Sequence, residues 1–283
     1  MSQHGTGRIA ARFAKLQVEG RGALIPFLEA YDPDLKTSTA ILQGMPAAGA
    51  DLIEIGVPFT DPAADGPVIQ QAGQRALKAG GSLEGALGMV RGFRGGDDST
   101  PIVLMGYLNP ILSYGAGQFC QDAAMAGVDG LIVVDMPPEE ADELLPYLVG
   151  TGLDLVRLVS PTTHDARLPL VLGQASGFVY YVAIAGITGT GSATSEDLAA
   201  AIPRVRAHTD LPIAIGFGVR TPEQAAQAVR VADGAVVASA LISTLVSSLD
   251  GEGRAGQDTV DRVLNHVRGL ARATREARTP VPA

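Results

Sequence analysis

Eight short aliphatic runs, each followed by a segment with helical spacing, constrain the fold of this chain more than any other feature of its sequence. The runs are continuous and do not alternate with polar residues, as is typical of strands buried on both faces of a parallel sheet. Strict alternation of strand and helix without a hairpin signal predicts a closed (β/α)8 TIM barrel of the α/β class, and an open doubly wound sheet is the alternative. The predicted strands are residues 23–28, 52–57, 102–105, 130–134, 153–159, 178–182, 213–217 and 234–237.

Segments with apolar residues three and four positions apart predict the helices. Residues 8–18 predict an extra N-terminal helix that closes the bottom of the barrel, and residues 257–277 predict an extended C-terminal helix. The chain of 283 residues shows no linker, so we expect a single domain, 1–283, with a frayed tail at 278–283. The helices between the strands are predicted at residues 34–48, 68–79, 83–93, 118–126, 139–148, 166–172, 196–207, 223–231 and 241–249.

The charge and cysteine content of the chain argue against several classes of protein. A formal net charge of −9 disfavours a nucleic-acid partner, because binding to a phosphate backbone requires basic patches. The single cysteine, Cys120, excludes an internal disulfide framework and fits a reducing compartment. The basic residues near the N-terminus are not followed by the apolar core of a signal peptide, and polar residues interrupt the apolar window at 170–189. We therefore expect a cytoplasmic protein without a membrane span.

Residues 51–67 combine a buried strand with a proline-rich loop and carry unexpected acids. Glu54 lies within the aliphatic strand, where a carboxyl group is either a partnered structural group or a functional one. Asp61 and Asp65 follow in the loop, which can return Asp65 to the same strand end. Two carboxyl groups in unlike surroundings can divide acid and base roles, because burial raises the pKa of the apolar one. The sequence therefore predicts Glu54 and Asp65 as a catalytic pair.

Glycines and a serine after the last two predicted strands indicate a phosphate site, which barrels of this kind often hold there. Gly216 and Gly218 permit close approach of the backbone, although glycines can also simply turn the chain. Ser239 begins a helix whose N–H groups attract an anion. We expect a negative φ at Ala238, because positive φ is costly for alanine. Segment 186–191 lacks the spacing of a nucleotide-binding loop and predicts a mobile loop that covers a ligand.

The remaining candidate groups do not form a catalytic pattern. The histidines have no metal-ligand spacing, and the lysines all fall in predicted helices and not at strand ends. Enzymes that cleave carbon–carbon bonds commonly supply a lysine imine or a metal as the electron sink, and the sequence predicts neither group here. Arg157, within the fifth strand, suggests only a buried partner for a carboxylate. The histidines and lysines are His4, His164, His208, His266, Lys15, Lys36 and Lys78.

The motif at residues 53–67 closely resembles the signature of the tryptophan synthase α subunit family. Members of that family split indole-3-glycerol phosphate into indole and glyceraldehyde 3-phosphate. The resemblance implies a lyase of tryptophan biosynthesis in which indole, once protonated at C3, is the electron sink. Further matching positions extend over nearly the whole chain and are Pro26-Phe27, Asp32-Pro33, Met105, Tyr107, Asn109, Asp135-Met136-Pro137, Gly186-Ile187-Thr188-Gly189 and Gly216-Phe217-Gly218.

The resemblance also implies roles for individual residues. Glu54 would protonate C3 and take the proton from the adjacent side-chain hydroxyl, Asp65 would accept the indole N–H, and Tyr180 would line the site. The apolar slot for the ring would be formed by Leu24, Leu104, Tyr107, Ile132 and Phe217. The phosphate would bind to Gly189, Gly218, Ala238 and Ser239.

A partner subunit and its cofactor follow from the same resemblance. No cofactor is expected in this chain, since pyridoxal phosphate would belong to a β subunit in an α2β2 complex. Asp61 and Thr188 would couple the two active sites. The chain departs from the family pattern near the ring slot, before the mobile loop and at the phosphate site, at positions Leu24, Tyr31, Ala183, Ile184 and Ala238.

Three other functions are consistent with a barrel of this kind. A different barrel enzyme acting on a phosphorylated indole or sugar precursor would be favoured by a lysine or cysteine at a strand end. A non-catalytic barrel subunit is a second alternative, which the presence of both Glu54 and Asp65 disfavours. A stand-alone indole-3-glycerol-phosphate lyase that works without a partner is the third.

Overall fold

The computed structural model describes residues 7–183, 194–216 and 218–278, and within these ranges nine strands form one parallel sheet. Except between β5 and β6, successive strands are joined by helical segments, as the alternating sequence pattern predicts. The strands are β1 (Ala23–Glu29), β2 (Ile53–Gly56), β3 (Ile102–Gly106), β4 (Gly130–Val133), β5 (Asp154–Leu155), β6 (Arg157–Val159), β7 (Val179–Val182), β8 (Ile213–Gly216) and β9 (Gly234–Val237).

The sheet closes into a barrel through one run of the chain. The strand order is β5-β4-β3-β2-β1-β9-β8-β7-β6, so β5 and β6 lie at opposite ends of this order. Only Val156 separates them in sequence, and its N–H donates to the carbonyl of Leu131 in β4 at 2.9 Å. The predicted fifth strand is therefore divided, with one half paired to β4 and the other to β7. The predicted TIM barrel is confirmed, and the open sheet is excluded.

The helices surround the barrel, with two differences from the sequence-based prediction. The segment predicted at 139–148 is a 3-10 helix (Pro138–Glu143) followed by a short α-helix, since Pro146 has no N–H to continue a single helix. A short helix before Gly115, α5, was not predicted. The helices are α1 (Arg8–Val18), α2 (Leu35–Ala48), α3 (Pro67–Lys78), α4 (Leu83–Arg94), α5 (Leu108–Tyr114), α6 (Ala116–Ala126), α7 (Leu145–Leu148), α8 (Leu168–Leu172), α9 (Ser195–Arg206), α10 (Pro222–Val231), α11 (Ser239–Ser247) and α12 (Thr259–Glu276).

Helix α1 closes the end of the barrel at which the strands begin. Ile9, Phe13 and Leu16 are buried and pack with residues of the barrel interior, including Phe178. The Phe13 and Phe178 ring centroids are 5.9 Å apart. An ion pair at 3.0 Å between Arg8 and Asp129, next to the start of β4, fixes the helix laterally. The prediction that the N-terminal helix caps the barrel is confirmed.

A second apolar layer lies between the outer face of the sheet and the surrounding helices. Side chains along a strand alternate between the two faces, so every second residue points away from the barrel interior. Leu24 and Leu104 belong to this outer layer and are fully buried in it. Neither residue lines the cavity described below, and their place in the ring slot stays a prediction. No helix in the ranges described above has the length and apolarity needed to cross a membrane.

Candidate active site

A cavity of about 690 Å³, including its open mouth, lies where the strands end. This is the end of a TIM barrel at which active sites are found. Its walls come from strands β1, β2, β3, β7 and β9, from the first turns of α3 and α11, and from the loops after β2 and β8. The lining residues are Phe27, Glu54, Asp65, Gly66, Ile69, Met105, Tyr180, Gly218, Val219, Arg220, Val236, Ala238 and Ser239.

Glu54 is a buried carboxyl group on the inner face of β2. Only 1% of its surface is exposed, and its Oε2 atom has no hydrogen-bond partner among the described residues. Burial, and secondarily the charge of Asp65, raise the pKa of Glu54 to about 8. The group is therefore protonated at neutral pH and can donate a proton into the cavity.

Asp65 reaches the same cavity from the loop between β2 and α3. Gln70 of α3 holds this loop, with its side-chain N–H donating to the Asp65 carbonyl at 2.9 Å. Burial raises the pKa of Asp65 to about 6, and a hydrogen bond from Tyr107 opposes the rise. Near neutral pH Asp65 is therefore mostly ionised while Glu54 is protonated, which gives the two carboxyl groups opposite proton-transfer roles.

Tyr107 supports the Asp65 loop through its hydroxyl group. That hydroxyl accepts a hydrogen bond from the Ala64 N–H at 3.0 Å and bonds to the Asp65 carboxylate. Its ring packs against Phe59 of the same loop at 5.2 Å between centroids. Tyr107 does not line the cavity itself but supports the loop that carries Asp65, and its contact with the ring stays a prediction.

Tyr180 forms the inner wall opposite the β2 loop. The Tyr180 side chain is buried, and burial together with the nearby Glu54 raises its pKa well above the ordinary value. Its ring occupies the space over Gly216, where an added Cβ atom would overlap the Tyr180 hydroxyl. Gly216, at the end of β8, therefore leaves the space that the Tyr180 side chain occupies.

The opposite end of the cavity can hold an anion. Gly218 has φ +87°, a conformation that favours glycine, and Ser239 opens helix α11. No side chain in the described part of the chain caps α11, so the first N–H groups of the helix can bind a ligand. Ala238 has φ −114°, which confirms the expectation of a negative φ there. Its side chain packs against the apolar cluster of Phe27, Ala72 and Ile242.

The other predicted site residues fall in several places. Ile132 packs in the barrel interior but does not line the cavity. Asp61 is exposed on the β2 loop, where it accepts a hydrogen bond from the Thr60 hydroxyl at 2.5 Å. Phe217, Gly189 and Thr188 lie outside the described residues, as does the rest of the predicted loop at 186–191.

Several lining residues were not predicted as site residues. The side chains of Phe27, Met105 and Val236 point into the barrel. Side chains along a strand alternate between its two faces, so these residues can be identified once it is known which face of each strand is the inner one. Val219 and Arg220 follow Gly218 in the loop after β8. Nothing in their local sequence indicated that this loop folds over the cavity.

Among the described residues, no carboxylate forms an ion pair with Arg157. Its two Nη groups donate to the Met136 carbonyl at 2.8 Å and to the Gln174 side chain at 2.6 Å. Its Nε atom is buried without a partner among the described residues, and burial lowers the pKa of the guanidinium. Arg157 therefore connects the segment after β4 to the segment after α8, away from the cavity.

Lys15, Lys36 and Lys78 lie in α1, α2 and α3, as predicted. In the part of the chain that the structure describes, no group of three or more His, Cys, Asp or Glu residues is placed to hold a metal ion.

Comparison with known proteins gives consistent results at three levels. The sequence pattern of the family described as "Tryptophan synthase alpha chain" matches residues 13–275. A tryptophan synthase alpha chain from Gluconacetobacter diazotrophicus is 66% identical over 272 residues, which are 96% of this chain and 99% of the relative. One from Acidiphilium cryptum is 64% identical over 271 residues, which are 96% of this chain and 98% of the relative.

Among solved structures, tryptophan synthase subunit alpha from Legionella pneumophila superposes with a TM-score of 0.87 at 37% identity, covering 95% of this chain and 98% of that one. A chain of Mycobacterium tuberculosis tryptophan synthase gives a TM-score of 0.83 at 34% identity, covering 95% and 98%.

Proposed function

Because the chain belongs to the tryptophan synthase alpha chain family, we propose that the cavity between Glu54 and Ser239 is the site of the family's reaction. The protein is a lyase that cleaves indole-3-glycerol phosphate to indole and glyceraldehyde 3-phosphate in tryptophan biosynthesis. The single observation that carries the assignment of the site is the pair of carboxyl groups in one cavity, with pKa values near 8 and near 6.

Glu54 supplies and recovers one proton in the proposed mechanism. Its protonated carboxyl group donates to C3 of the indole ring, which converts the ring into an electron-accepting iminium at N1. The resulting Glu54 carboxylate then takes the proton from the hydroxyl on the carbon attached to C3. The C–C bond breaks, its electron pair returns to the ring, and the aldehyde leaves. Glu54 ends the cycle protonated, as it began, which its raised pKa favours.

Asp65 stabilises the charge that develops on the ring. An ionised carboxylate that accepts the indole N–H is attracted to the iminium more strongly than to the neutral ring, so it lowers the barrier selectively. Tyr107 and Gln70 hold the Asp65 loop in place. Both carboxyl groups lie in the cavity, which favours a catalytic protein over a non-catalytic barrel subunit.

The two ends of the cavity suit the two ends of the substrate. Apolar side chains of Phe27, Ile69 and Met105 offer contacts to the ring next to Glu54 and Asp65, and Tyr180 completes this wall. The phosphate binds near Gly218, Ala238 and Ser239, at the N-terminus of α11. The family resemblance alone supports contacts of the ring with Ile132 and Phe217 and of the phosphate with Gly189.

The family pairs this chain with a β subunit that holds pyridoxal phosphate. We propose an α2β2 complex in which Asp61 and Thr188 transmit the partner's state to the site. Support comes from the β2 loop, which presents Asp61 to solvent and holds Asp65 four residues later. We also propose a single domain over residues 1–283, since the strands form one closed barrel. A cytoplasmic location is proposed because the family's enzymes belong to amino-acid biosynthesis.

Indole release from indole-3-glycerol phosphate, measured with and without a β subunit, tests the function. We expect release by the chain alone and faster release in the complex, because a partner shifts the site toward a closed state for which it has higher affinity. Glu54→Gln is the matched negative control for the assigned cavity. Full turnover in Glu54→Gln would refute the site, and rates unaffected by saturating β subunit would favour a stand-alone lyase.

A further inference from the structure

We propose that the Arg220 guanidinium is an additional phosphate-binding group of this site, acting beside the backbone groups of Gly218 and Ser239. The inference rests on the proposed position of the phosphate in the cavity. It assigns to the loop after β8 a charged contact that the family resemblance does not supply.

Arg220 lies at the anion-binding end of the cavity. It lines the cavity together with Gly218, Ala238 and Ser239, and Gly218 precedes it by only two residues. Among the described lining residues it is the one basic side chain, whereas Glu54 and Asp65 are acids. A phosphate monoester is an anion, and it would enter a cavity that otherwise presents carboxyl groups on a chain of net charge −9. A cation at this end favours the substrate and orients its phosphate away from the acids.

The Arg220 side chain is exposed, and no described residue competes for it. No acid forms an ion pair with it in the described ranges, and its only recorded hydrogen bond there is made by its backbone N–H. By contrast, Arg167 pairs with Glu139 and Arg206 pairs with Asp233. The charge of Arg220 is therefore available to a ligand.

The backbone of Arg220 is fixed by the start of helix α10. Its N–H donates to the Gln224 Oε1 atom at 2.8 Å, and Thr221 and Gln224 form a reciprocal capping box. These bonds do not involve the Arg220 side chain, so substitutions at this position leave them intact. A rigid attachment reduces the entropy cost of placing the long side chain on a phosphate.

Guanidinium chemistry suits this task better than that of an ammonium group. The planar guanidinium can donate two parallel hydrogen bonds to phosphate oxygens, while a lysine acts as a point charge. Loss of a hydrogen bond to a charged group weakens binding by about tenfold or more. Replacement by lysine should retain only part of the affinity.

Calorimetric titration with two probes separates the phosphate end from the ring end. Glycerol 3-phosphate carries the phosphate without a ring, and indole carries the ring without a phosphate. We expect Arg220→Gln to weaken glycerol 3-phosphate binding by about tenfold or more and to leave indole binding within about twofold. Arg220→Lys should fall between Arg220→Gln and the wild type.

Arg272→Gln is the matched control, because Arg272 is exposed on α12 and lies outside the cavity. If Arg220→Gln binds glycerol 3-phosphate as tightly as Arg272→Gln does, the inference is wrong. An equal loss of indole affinity would also overturn it, since that result indicates a disturbed cavity and not a missing phosphate contact. Wild-type cleavage of indole-3-glycerol phosphate, measured on the same preparations, reports separately on the proposed function.

Discussion

Replacing Glu54 by glutamine should increase the stability of the protein, and the gain should grow with pH. The pKa of Glu54 is about 8 in the fold and near the ordinary value of 4.5 in the unfolded chain. Between these values the folded state binds one more proton than the unfolded state, so stability falls as pH rises. Glutamine does not titrate and removes this dependence. It also leaves a polar group at the same buried position, which keeps the change in packing small.

The expected magnitude follows from proton linkage. One excess proton changes the unfolding free energy by about 1.4 kcal/mol per pH unit. Between about pH 5.5 and about pH 7.5 the stability of Glu54→Gln relative to wild type should therefore increase by about 2.5 kcal/mol. This difference between two pH values is independent of any constant effect of the glutamine itself. A buried acid that is needed for function lowers the stability of the fold, and replacing it with glutamine removes this destabilisation.

Urea unfolding followed by circular dichroism at the two pH values measures the effect. Asp65→Asn is the matched control, because the pKa of Asp65 is raised only from 3.8 to about 6. Its effect relative to wild type should accumulate below about pH 6 and change little above it. A relative stability of Glu54→Gln that is constant between the two pH values would refute the assignment of Glu54 as a protonated acid at neutral pH.

Four further outcomes are expected. Glu54→Gln and Asp65→Asn should each lower the turnover of indole-3-glycerol phosphate by about 10²–10⁴-fold with the fold retained, as circular dichroism and steady-state kinetics would show. The pH profile of kcat/KM should be bell-shaped, falling below about 6 as Asp65 is protonated and above about 8 as Glu54 ionises, and a flat profile would contradict these roles. Ala238→Gly should change the affinity for inorganic phosphate by less than about tenfold, because φ is already negative at this position, and a larger gain would show that the methyl group obstructs the site. Gly216→Ala should displace Tyr180 and reduce turnover, with unchanged kinetics as the contrary result.

Local sequence determined the architecture of this protein and its two principal acids. The continuous aliphatic runs required a parallel sheet that is covered on both faces, and their number and strict alternation with helices favoured a barrel. The apolar spacing of residues 8–18 required an apolar surface such as the open end of that barrel. Glu54 was identifiable because a carboxyl group within an aliphatic strand is costly unless it is partnered or used. Asp65 was identifiable because the prolines between them fix a loop that returns to the strand end.

Tertiary structure alone decided which neighbours these residues have. A continuous apolar run does not reveal which alternate residues face inward. The structure places Leu24 and Leu104, which the family resemblance assigns to the ring slot, in the layer between the sheet and the helices. The sequence also does not show that the Tyr107 hydroxyl group reaches the Asp65 loop. Arg220 lies in the cavity through the path of the loop after β8, which depends on long-range packing. Local sequence specifies where the helices and strands lie along the chain. The face of the strand on which each side chain lies, and the direction in which it points, depend on contacts between residues that are distant in sequence.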